Sequence, residues 1–303
     1  MISNIAFAAL LVAAVNGAGY NYDKNGADWG PITAPRTNLG VITEDWSTCV
    51  NGKEQSPIDL KSASHSESLE LTLSGYYDFD STTSMVSNLS WSSTSSVSAQ
   101  RNKASWHVDY PALTAAAQLE LTFADGARGD YSPLQFHFHA PSEHTVDQKY
   151  FDAEMHFVHR SAAGEFAVFG IFFDKVVGGA EDNPFLTTLF DSMSTAGENV
   201  AIKNLLANIK SNEFYSYDGS FTTPPCTEGV KWSVLKKVQP ISQTQFTKFT
   251  QRLAGNAAFA SGNGNNRVIM PIEDRTIYMT KDGGAAAGLT FAAAVAALTA
   301  LAF

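Results

Sequence analysis

Residues 134–139 read LQFHFH, a run in which apolar and polar side chains alternate with the period of two that is typical of a β-strand. Residues 153–159, AEMHFVH, repeat this alternation. One face of each predicted strand is rich in polar side chains, and these faces carry Gln135, His137, His139, Glu154, His156 and Val158. The opposite faces carry Leu134, Phe136, Phe138, Met155, Phe157 and His159. We therefore predict two strands at the centre of a β-domain.

Other segments extend this β pattern. Residues 119–123, LELTF, alternate, and residues 166–174, FAVFGIFFD, are apolar on both faces, as expected for a central strand. The turn signals Asp125-Gly126 and Ala163-Gly164 separate these segments. Helical periodicity is limited to residues 183–193, 200–209 and 242–253. The chain is predicted to fold as a β-dominated single domain with a few short surface helices.

Both ends of the sequence resemble targeting segments. Residues 5–15 form a short apolar run followed by small residues, which predicts a signal peptide over residues 1–19. Residues 282–303 are apolar and carry no charge after Asp282. They are compatible with a GPI-attachment signal, a retained transmembrane anchor, or an alanine-rich tail without a membrane role. The folded domain is then expected over residues 20–281.

The net charge, the two cysteines and one glycosylation sequon indicate which partners and which compartment to expect. The formal net charge of −10 argues against partners such as nucleic acid or an anionic membrane surface. The two cysteines, Cys49 and Cys226, form an even pair in a chain with a secretory start, which favours a long-range disulfide over two unrelated buried thiols. Asn88 begins a sequon for N-glycosylation, Asn-Leu-Ser.

Three histidines on two neighbouring strands suggest a metal site. His137 and His139 share one strand face, and an antiparallel partner strand would place His156 beside them. Three neutral imidazoles with an open fourth position are typical of catalytic zinc. The alternative interpretation is a polar strand face that is turned to solvent.

Several motifs together resemble the α-class carbonic anhydrase family. They are, in the order of the family, NGADWG (25–30), GKEQSPIDL (52–60), QFHFHAPSEHTVD (135–147), AEMHFVH (153–159), GSFTTPPCTEGVKW (219–232) and NRVIMPIEDRTIY (266–278). The matches cover essentially the whole predicted domain. The resemblance implies a mainly β (α+β) fold, with a large twisted, mostly antiparallel central sheet and peripheral short helices.

The resemblance also implies a role for each matching residue. His137, His139 and His156 correspond to the zinc ligands, and Gln135 and Glu154 correspond to the acceptors that fix the orientation of the ligand rings. Thr222 corresponds to the threonine that accepts a hydrogen bond from zinc-bound hydroxide, and Glu143 to the acid that receives the proton of that threonine. Thr223 corresponds to a hydroxyl that helps to hold bicarbonate. The apolar wall that receives CO2 corresponds to Val158, Val168, Phe221, Val230 and Trp232.

Expectations for the remaining residues come partly from the resemblance, for the cysteines, His144 and Trp91, and partly from strand alternation and the absence of a motif, for the other histidines. Cys49 and Cys226 match the positions of a disulfide in secreted members of the family. His144 is expected to be structural, and His159 to lie in the core on the opposite strand face. His65 and His107 belong to no motif and are expected to be exposed. Trp91 occupies the expected position of the histidine proton shuttle, which is therefore predicted to be absent.

The resemblance thus implies a Zn²⁺ lyase that hydrates CO2 reversibly to bicarbonate and a proton by zinc-bound hydroxide, with ester hydrolysis as a side activity. Its substrates are small molecules, and it is predicted to be secreted or held at the cell surface, with the C-terminal segment as the membrane attachment. The alternative is a non-catalytic domain of the same fold that serves binding or adhesion. The oligomeric state is not indicated by the sequence.

Overall fold

The computed structural model describes residues 22–30, 46–61, 63–66, 68–74, 107–109, 118–123, 125–175, 181–192, 213–254 and 264–280. The predicted signal peptide, the C-terminal segment, the helix predicted over residues 200–209, Asn88 and Trp91 lie outside these residues. No helix within the described ranges is both long and apolar enough to cross a membrane.

The described strands form one 11-stranded sheet. They are β1 Ser64–Ser66, β2 Glu70–Ser74, β3 His107–Asp109, β4 Gln118–Thr122, β5 Arg128–His139, β6 Ala153–Ser161, β7 Phe166–Asp174, β8 Phe214–Ser220, β9 Glu228–Leu235, β10 Gln239–Pro240 and β11 Tyr278–Thr280. Their spatial order is β1-β11-β8-β9-β7-β6-β5-β4-β2, with β10 paired to β7 and β3 paired to β5. Three pairs, β1 with β11, β7 with β9 and β7 with β10, are parallel. The other pairs among these strands are antiparallel, which confirms the predicted fold class.

Strand alternation distributes the buried apolar side chains over two clusters, one on each face of the sheet. The first cluster includes Phe136, Phe138, Met155, Phe157 and Phe169. The second cluster includes Val158, Val168, Phe172, Val230 and Trp232. Strand β7 contributes to both clusters, so the prediction of a central strand that is apolar on both faces is confirmed.

Leu134 is an exception to the predicted alternation. It packs against the second cluster rather than with Phe136 and Phe138, which belong to the first. The register of β5 against β6 shifts between Pro133 and Gln135, so Leu134 is an extra residue in a β-bulge. The expectation that Leu134 shares a face with Phe136 and Phe138 was therefore wrong, because an inserted residue reverses the alternation.

Three helices lie within the described residues: α1 Ser47–Asn51, α2 Pro184–Ser192 and α3 Gln243–Ala254. The bounds of α2 and α3 agree with the predicted segments to within one residue. A polar side chain precedes each of these two helices and accepts backbone N–H groups of the first turn. Asn183 Oδ1 accepts from Phe185 N at 3.0 Å, and Ser242 Oγ accepts from Gln245 N at 3.1 Å. Both helices pack on the first cluster, through Phe185, Leu186, Leu189 and Phe249.

The segment of residues 22–30 packs against a distant part of the chain. Asn25 O accepts a hydrogen bond from Val268 N at 2.7 Å, and Asn25 Nδ2 donates to Asn266 O at 2.9 Å. Tyr22 and Trp29 are buried. These residues therefore belong to the folded domain.

A disulfide joins Cys49 to Cys226 across a sequence separation of 177 residues, which confirms the predicted pairing. Cys49 lies in α1, and Cys226 lies in the loop between β8 and β9, which also carries Thr222 and Thr223. Gln55 Nε2 donates to Cys226 O at 3.0 Å beside the bridge. The disulfide thus ties the loop after β8 to the segment near the start of the described chain.

We expect replacement of both cysteines by serine to lower the free energy of unfolding, by up to about 4–5 kcal/mol for a loop of this length in the chain-entropy model. The physical reason is that the cross-link restricts the unfolded chain more than the folded one. Urea denaturation of the wild-type protein and of the C49S/C226S variant measures the difference. A reductant should shift the wild-type midpoint and leave that of the variant unchanged; equal midpoints for the two oxidised proteins would contradict the expectation.

Candidate metal centre

Strands β5 and β6 bring the three predicted ligand histidines together on one face of the sheet. The antiparallel register pairs His137 with His156 and His139 with Glu154. The ring centroids are 5.0 Å apart for His137 and His139, 5.2 Å for His137 and His156, and 4.7 Å for His139 and His156. One nitrogen from each ring lies within 4.8 Å of the other two, so the three side chains can share one metal ion.

His139 has one ring nitrogen that is held by the protein and one that is left with a lone pair. Its Nδ1 donates to the Asn265 carbonyl oxygen at 2.7 Å, because a carbonyl only accepts. Nε2 is buried and has no hydrogen-bond partner among the described residues. Burial lowers the pKa of His139 below its ordinary value, although the nearby Glu143 carboxylate opposes this shift. The ring is therefore neutral at physiological pH, as a metal ligand must be.

His156 is oriented in the same way by a carboxylate. Its Nε2 donates to Glu154 Oε1 at 2.9 Å, which leaves the lone pair of a neutral ring on Nδ1. Gln135 lies two residues before His137 on β5, where its backbone pairs with Val158. The role of Gln135 as an acceptor for His137 stays a prediction.

Glu154 is the centre of this hydrogen-bond network. Its side chain is fully buried and accepts four hydrogen bonds. Oε1 accepts from His144 Nδ1 at 2.7 Å and from His156 Nε2, and Oε2 accepts from the backbone N–H groups of Glu143 and His144 at 2.9 and 2.8 Å. Burial alone would raise the pKa of Glu154, but the imidazoles of His144 and His156 hold it well below its usual range. Glu154 is therefore an ionised acceptor.

A chain of buried hydrogen bonds extends from Glu154 away from the three ligand histidines. His144 donates to Glu154 through Nδ1, and its Nε2 is 2.6 Å from the Tyr217 hydroxyl. The Tyr217 hydroxyl is in turn 2.8 Å from Ser56 Oγ. Burial raises the pKa of Tyr217 well above its ordinary value, so this hydroxyl keeps its proton. The structural role expected for His144 agrees with this arrangement, whereas Tyr217 and Ser56 were not predicted.

His144, Glu154 and His156 also form a second group with the spacing of metal ligands. The facing atoms of this group are joined by the hydrogen bonds to Glu154 Oε1. Both ring nitrogens that face the carboxylate carry protons and have no free lone pair. The first group, His137, His139 and His156, is therefore the candidate metal centre.

Glu143 lies beside the histidine cluster, whereas for Thr222 and Thr223 the structure gives burial but no contact with that cluster. Glu143 is fully buried, its Oε1 accepts from Arg267 N at 2.8 Å, and its Oε2 is 3.4 Å from His139 Nε2. No hydrogen bond joins Glu143 to Thr222 in the described structure. Glu143 Oε2 has no hydrogen-bond partner among the residues that the structure describes. Thr222 is buried, and Thr223 is partly exposed. The predicted roles of the two threonines stay predictions.

The five residues predicted to form an apolar wall come together. Val158, Val168, Val230 and Trp232 are buried in the second cluster, and Phe221 packs against it. The Trp232 ring lies 4.8 Å from that of His156, between centroids. The wall is therefore continuous with the histidine cluster.

The other histidines are placed as follows. His159 is fully buried on the opposite face, with Nδ1 3.1 Å from Phe157 O, and burial lowers its pKa to about 4. His65 is exposed on β1, as expected. The backbone of His107, on β3, pairs with His137, a proximity that no motif indicated.

Two residues that contact the centre were missed by the sequence analysis. Asn265 binds His139 through its carbonyl oxygen, and Arg267 binds Glu143 through its backbone N–H. Asn265 directly precedes the motif of residues 266–278, and Arg267 is its second residue. The contacts are made by backbone groups, which every residue type carries. No signal in the sequence marks these two contacts.

The residues of the centre fit a zinc ion. His137, His139 and His156 each offer one ring nitrogen, and the buried Nε2 of His139, without a hydrogen-bond partner within the described structure, requires a cation or a donor to satisfy it. A carboxylate and a carbonyl fix the rings of His156 and His139 from behind, as is usual for histidine ligands.

Comparisons with known proteins agree with this geometry. Residues 42–281 match the family described as eukaryotic-type carbonic anhydrase. A carbonic anhydrase from Nostoc sp. is 32% identical over 264 residues, which are 82% of this chain and 85% of the relative. The solved α-carbonic anhydrase from Thermovibrio ammonificans, in complex with sulfanilamide, is 28% identical with a TM-score of 0.61, over 86% of this chain and 99% of its own.

Another solved structure of this fold is that of dioscorin complexed with ascorbate. It is 28% identical with a TM-score of 0.56, over 78% of this chain and 89% of its own. The fold alone therefore does not assign an activity, which has to be argued from the site. The match over residues 42–281 shows that this chain belongs to the eukaryotic-type carbonic anhydrase family.

Proposed function

We propose that the protein is a zinc-dependent carbonic anhydrase, a lyase that hydrates CO2 reversibly to bicarbonate and a proton. The observation that carries this proposal is the cluster of His137, His139 and His156, whose ligand nitrogens lie within 4.8 Å of one another. Membership of the family supports the reaction class. The intact set of ligand histidines supports an active member of that family.

His137, His139 and His156 would hold the zinc ion, through Nε2 of His139 and Nδ1 of His156. When bound by three neutral histidines, zinc lowers the pKa of a coordinated water to about 7 and so supplies a nucleophile at neutral pH. Glu154 and the Asn265 carbonyl hold the proton on the opposite nitrogen of each ring. This arrangement keeps both lone pairs available in the fully folded chain.

Glu143 and Thr222 would orient the nucleophile. Arg267 N occupies Glu143 Oε1, which leaves Oε2 as the oxygen that can accept the hydroxyl proton of Thr222. A threonine hydroxyl that donates to a carboxylate has only its lone pairs left, so Thr222 would then accept a hydrogen bond from the nucleophile. Thr223, three residues before Cys226 and partly exposed, would help to hold bicarbonate.

The second cluster would receive CO2. CO2 carries no charge and has weak hydrogen-bonding capacity, so a site for it depends on apolar surface that excludes water. Val158, Val168, Val230 and Trp232 supply that surface next to His156, with Phe221 at its border. Hydrolysis of esters by the same nucleophile is proposed only as a side activity.

The alternative function is a non-catalytic binding domain of the same fold. The presence of all three ligand histidines with Glu143 and Thr222 favours the enzyme. A zinc-loaded protein that fails to hydrate CO2 would favour the binding domain.

We further propose that the protein acts outside the cell, secreted or held at the surface. The Cys49–Cys226 disulfide supports an oxidising compartment.

If the C-terminal segment is a GPI signal, phosphatidylinositol-specific phospholipase should release the protein from cells. The mature protein should then lack residues after the attachment site. Recovery of a C-terminal peptide that ends at Phe303 would contradict the GPI signal.

Replacement of His139 by alanine should abolish zinc binding and lower CO2 hydration to the background rate. The substitution removes one of the three proposed ligands, the one whose unpartnered Nε2 is buried at the site. Metal analysis should give one zinc per chain for the wild-type protein, and stopped-flow hydration should be lost on chelation. The matched control is His65→Ala, at an exposed position on β1, which should leave both measurements unchanged. A wild-type sample that hydrates CO2 without stoichiometric zinc would overturn the mechanism.

Replacement of Glu154 by glutamine should weaken zinc binding by about tenfold or more. Glu154 accepts two N–H groups at each oxygen, whereas the amide of glutamine has one oxygen and one NH2 group. Two N–H donors must therefore face another donor in either orientation of the amide. The control is Glu165→Gln, in an exposed turn, where the same chemical change should have no effect on zinc affinity. Equal zinc affinities for Glu154→Gln and wild type would rule out this role of the carboxylate.

A further inference from the structure

Asn265 forms hydrogen bonds with His139 and with the residues immediately before and after it, Phe138 and Ala140. Its carbonyl oxygen accepts from His139 Nδ1 at 2.7 Å. Its side-chain Nδ2 donates to Phe138 O at 3.0 Å, and its Oδ1 accepts from Ala140 N at 2.8 Å. Its backbone N–H also donates to Ala140 O at 3.1 Å. The backbone on both sides of His139 and the ring itself are thus held by one residue.

These four contacts are buried and lie at the end of β5, where the sheet no longer constrains the chain. Asn265 and His139 are each 1% exposed. Strand β5 ends at His139, and Ala140 lies beyond the last register pair of β5 with β6. His137 is held between two neighbouring strands, β3 and β6. The peptide group between His139 and Ala140 lies beyond the sheet and needs another partner to hold its position.

Gly264 permits this close approach. It has a φ of +88°, and a Cβ atom at this position would overlap Ala140 O and lie 2.6 Å from Pro141 Cδ. A side chain would therefore push the backbone of Asn265 away from the residues that follow His139. Gly264 and Asn265 act together, and we refer to this pair as the asparagine clamp.

We propose that the asparagine clamp is a positioning device for the metal centre, and that the side-chain amide of Asn265 sets the place of His139 Nε2. The amide fixes the peptides of Phe138 and Ala140, and the carbonyl fixes the ring between them. This inference rests on the proposed zinc site, because it concerns how tightly that site holds its ion. Asn265 touches neither the reacting atoms nor the substrate in this scheme, so it is a positioning residue.

The test compares two adjacent asparagines in the full chain. Asn265→Ala removes the amide and leaves the carbonyl that accepts from His139. The matched control is Asn266→Ala, because Asn266 is also buried but its oxygens accept from Asn25 Nδ2 at 2.9 Å. Zinc affinity is measured on the metal-free proteins by competition with a chromophoric chelator. Thermal unfolding of the same metal-free samples measures the loss of stability separately.

We expect Asn265→Ala to weaken zinc binding by about tenfold, as for other partners that orient a histidine ligand. Asn266→Ala should lower thermal stability to a similar extent and leave zinc affinity unchanged. Asn265→Ser, which leaves a smaller gap but cannot reach both peptides, should weaken zinc binding in the same direction and serves if the alanine variant does not fold. A folded Asn265 variant with the zinc affinity of the wild type, or an equal loss in Asn266→Ala, would overturn the inference. Failure of the wild-type protein itself to bind zinc would instead contradict the proposed function.

Discussion

The centre depends on one buried carboxylate, that of Glu154. An ionised group without water requires donors on every side, and Glu154 finds four N–H groups from His156, His144 and the backbone of residues 143 and 144. These donors belong to β6 and to the loop after β5, so the carboxylate holds the loop against the strand. The same contacts orient the ring of His156 and place the backbone of Glu143. A single buried charge therefore couples His156, a proposed metal ligand, to the loop that carries Glu143, a proposed catalytic residue.

The ligand cluster and the sheet around it could be predicted from the sequence because strand geometry has a simple period. Residues two apart on a strand share a face, and antiparallel pairing places His156 opposite His137. The β-bulge at Leu134 marks the limit of this reasoning. An extra residue on one strand reverses the alternation, and neither the apolar character of Leu134 nor its position in LQFHFH reveals the insertion. The histidines escaped this error because they lie on the regular side of the bulge.

The contacts of Asn265 and Arg267 could not be predicted in the same way. They bind His139 and Glu143 through a backbone carbonyl and a backbone N–H, across sequence separations of 126 and 124 residues. Any residue carries these groups, so the two backbone contacts do not by themselves mark a residue type that could be recognised in the sequence. The side chain of Arg267 explains why its backbone lies there: its guanidinium donates to Ser56 O at 2.6 Å and to Cys49 O at 2.8 Å. Long-range contacts of this kind follow from the tertiary fold alone.

The distribution of charge at the candidate metal centre favours the proposed catalytic ion over a purely structural one. The three groups that would offer lone pairs to the ion are imidazoles, and the carboxylates of Glu143 and Glu154 lie beside or behind them. Neutral ligands leave a bound dication with its full charge, and that charge is what acidifies a coordinated water. Carboxylates that contact the imidazoles but do not bind the ion would stabilise the cation and fix the rings. They would not neutralise the charge of the ion by direct coordination. The fourth ligand position would then be left for water, next to the apolar surface of Val158 and Trp232. In the proposed zinc site, the fold would thus separate the groups that bind the ion from the groups that balance its charge.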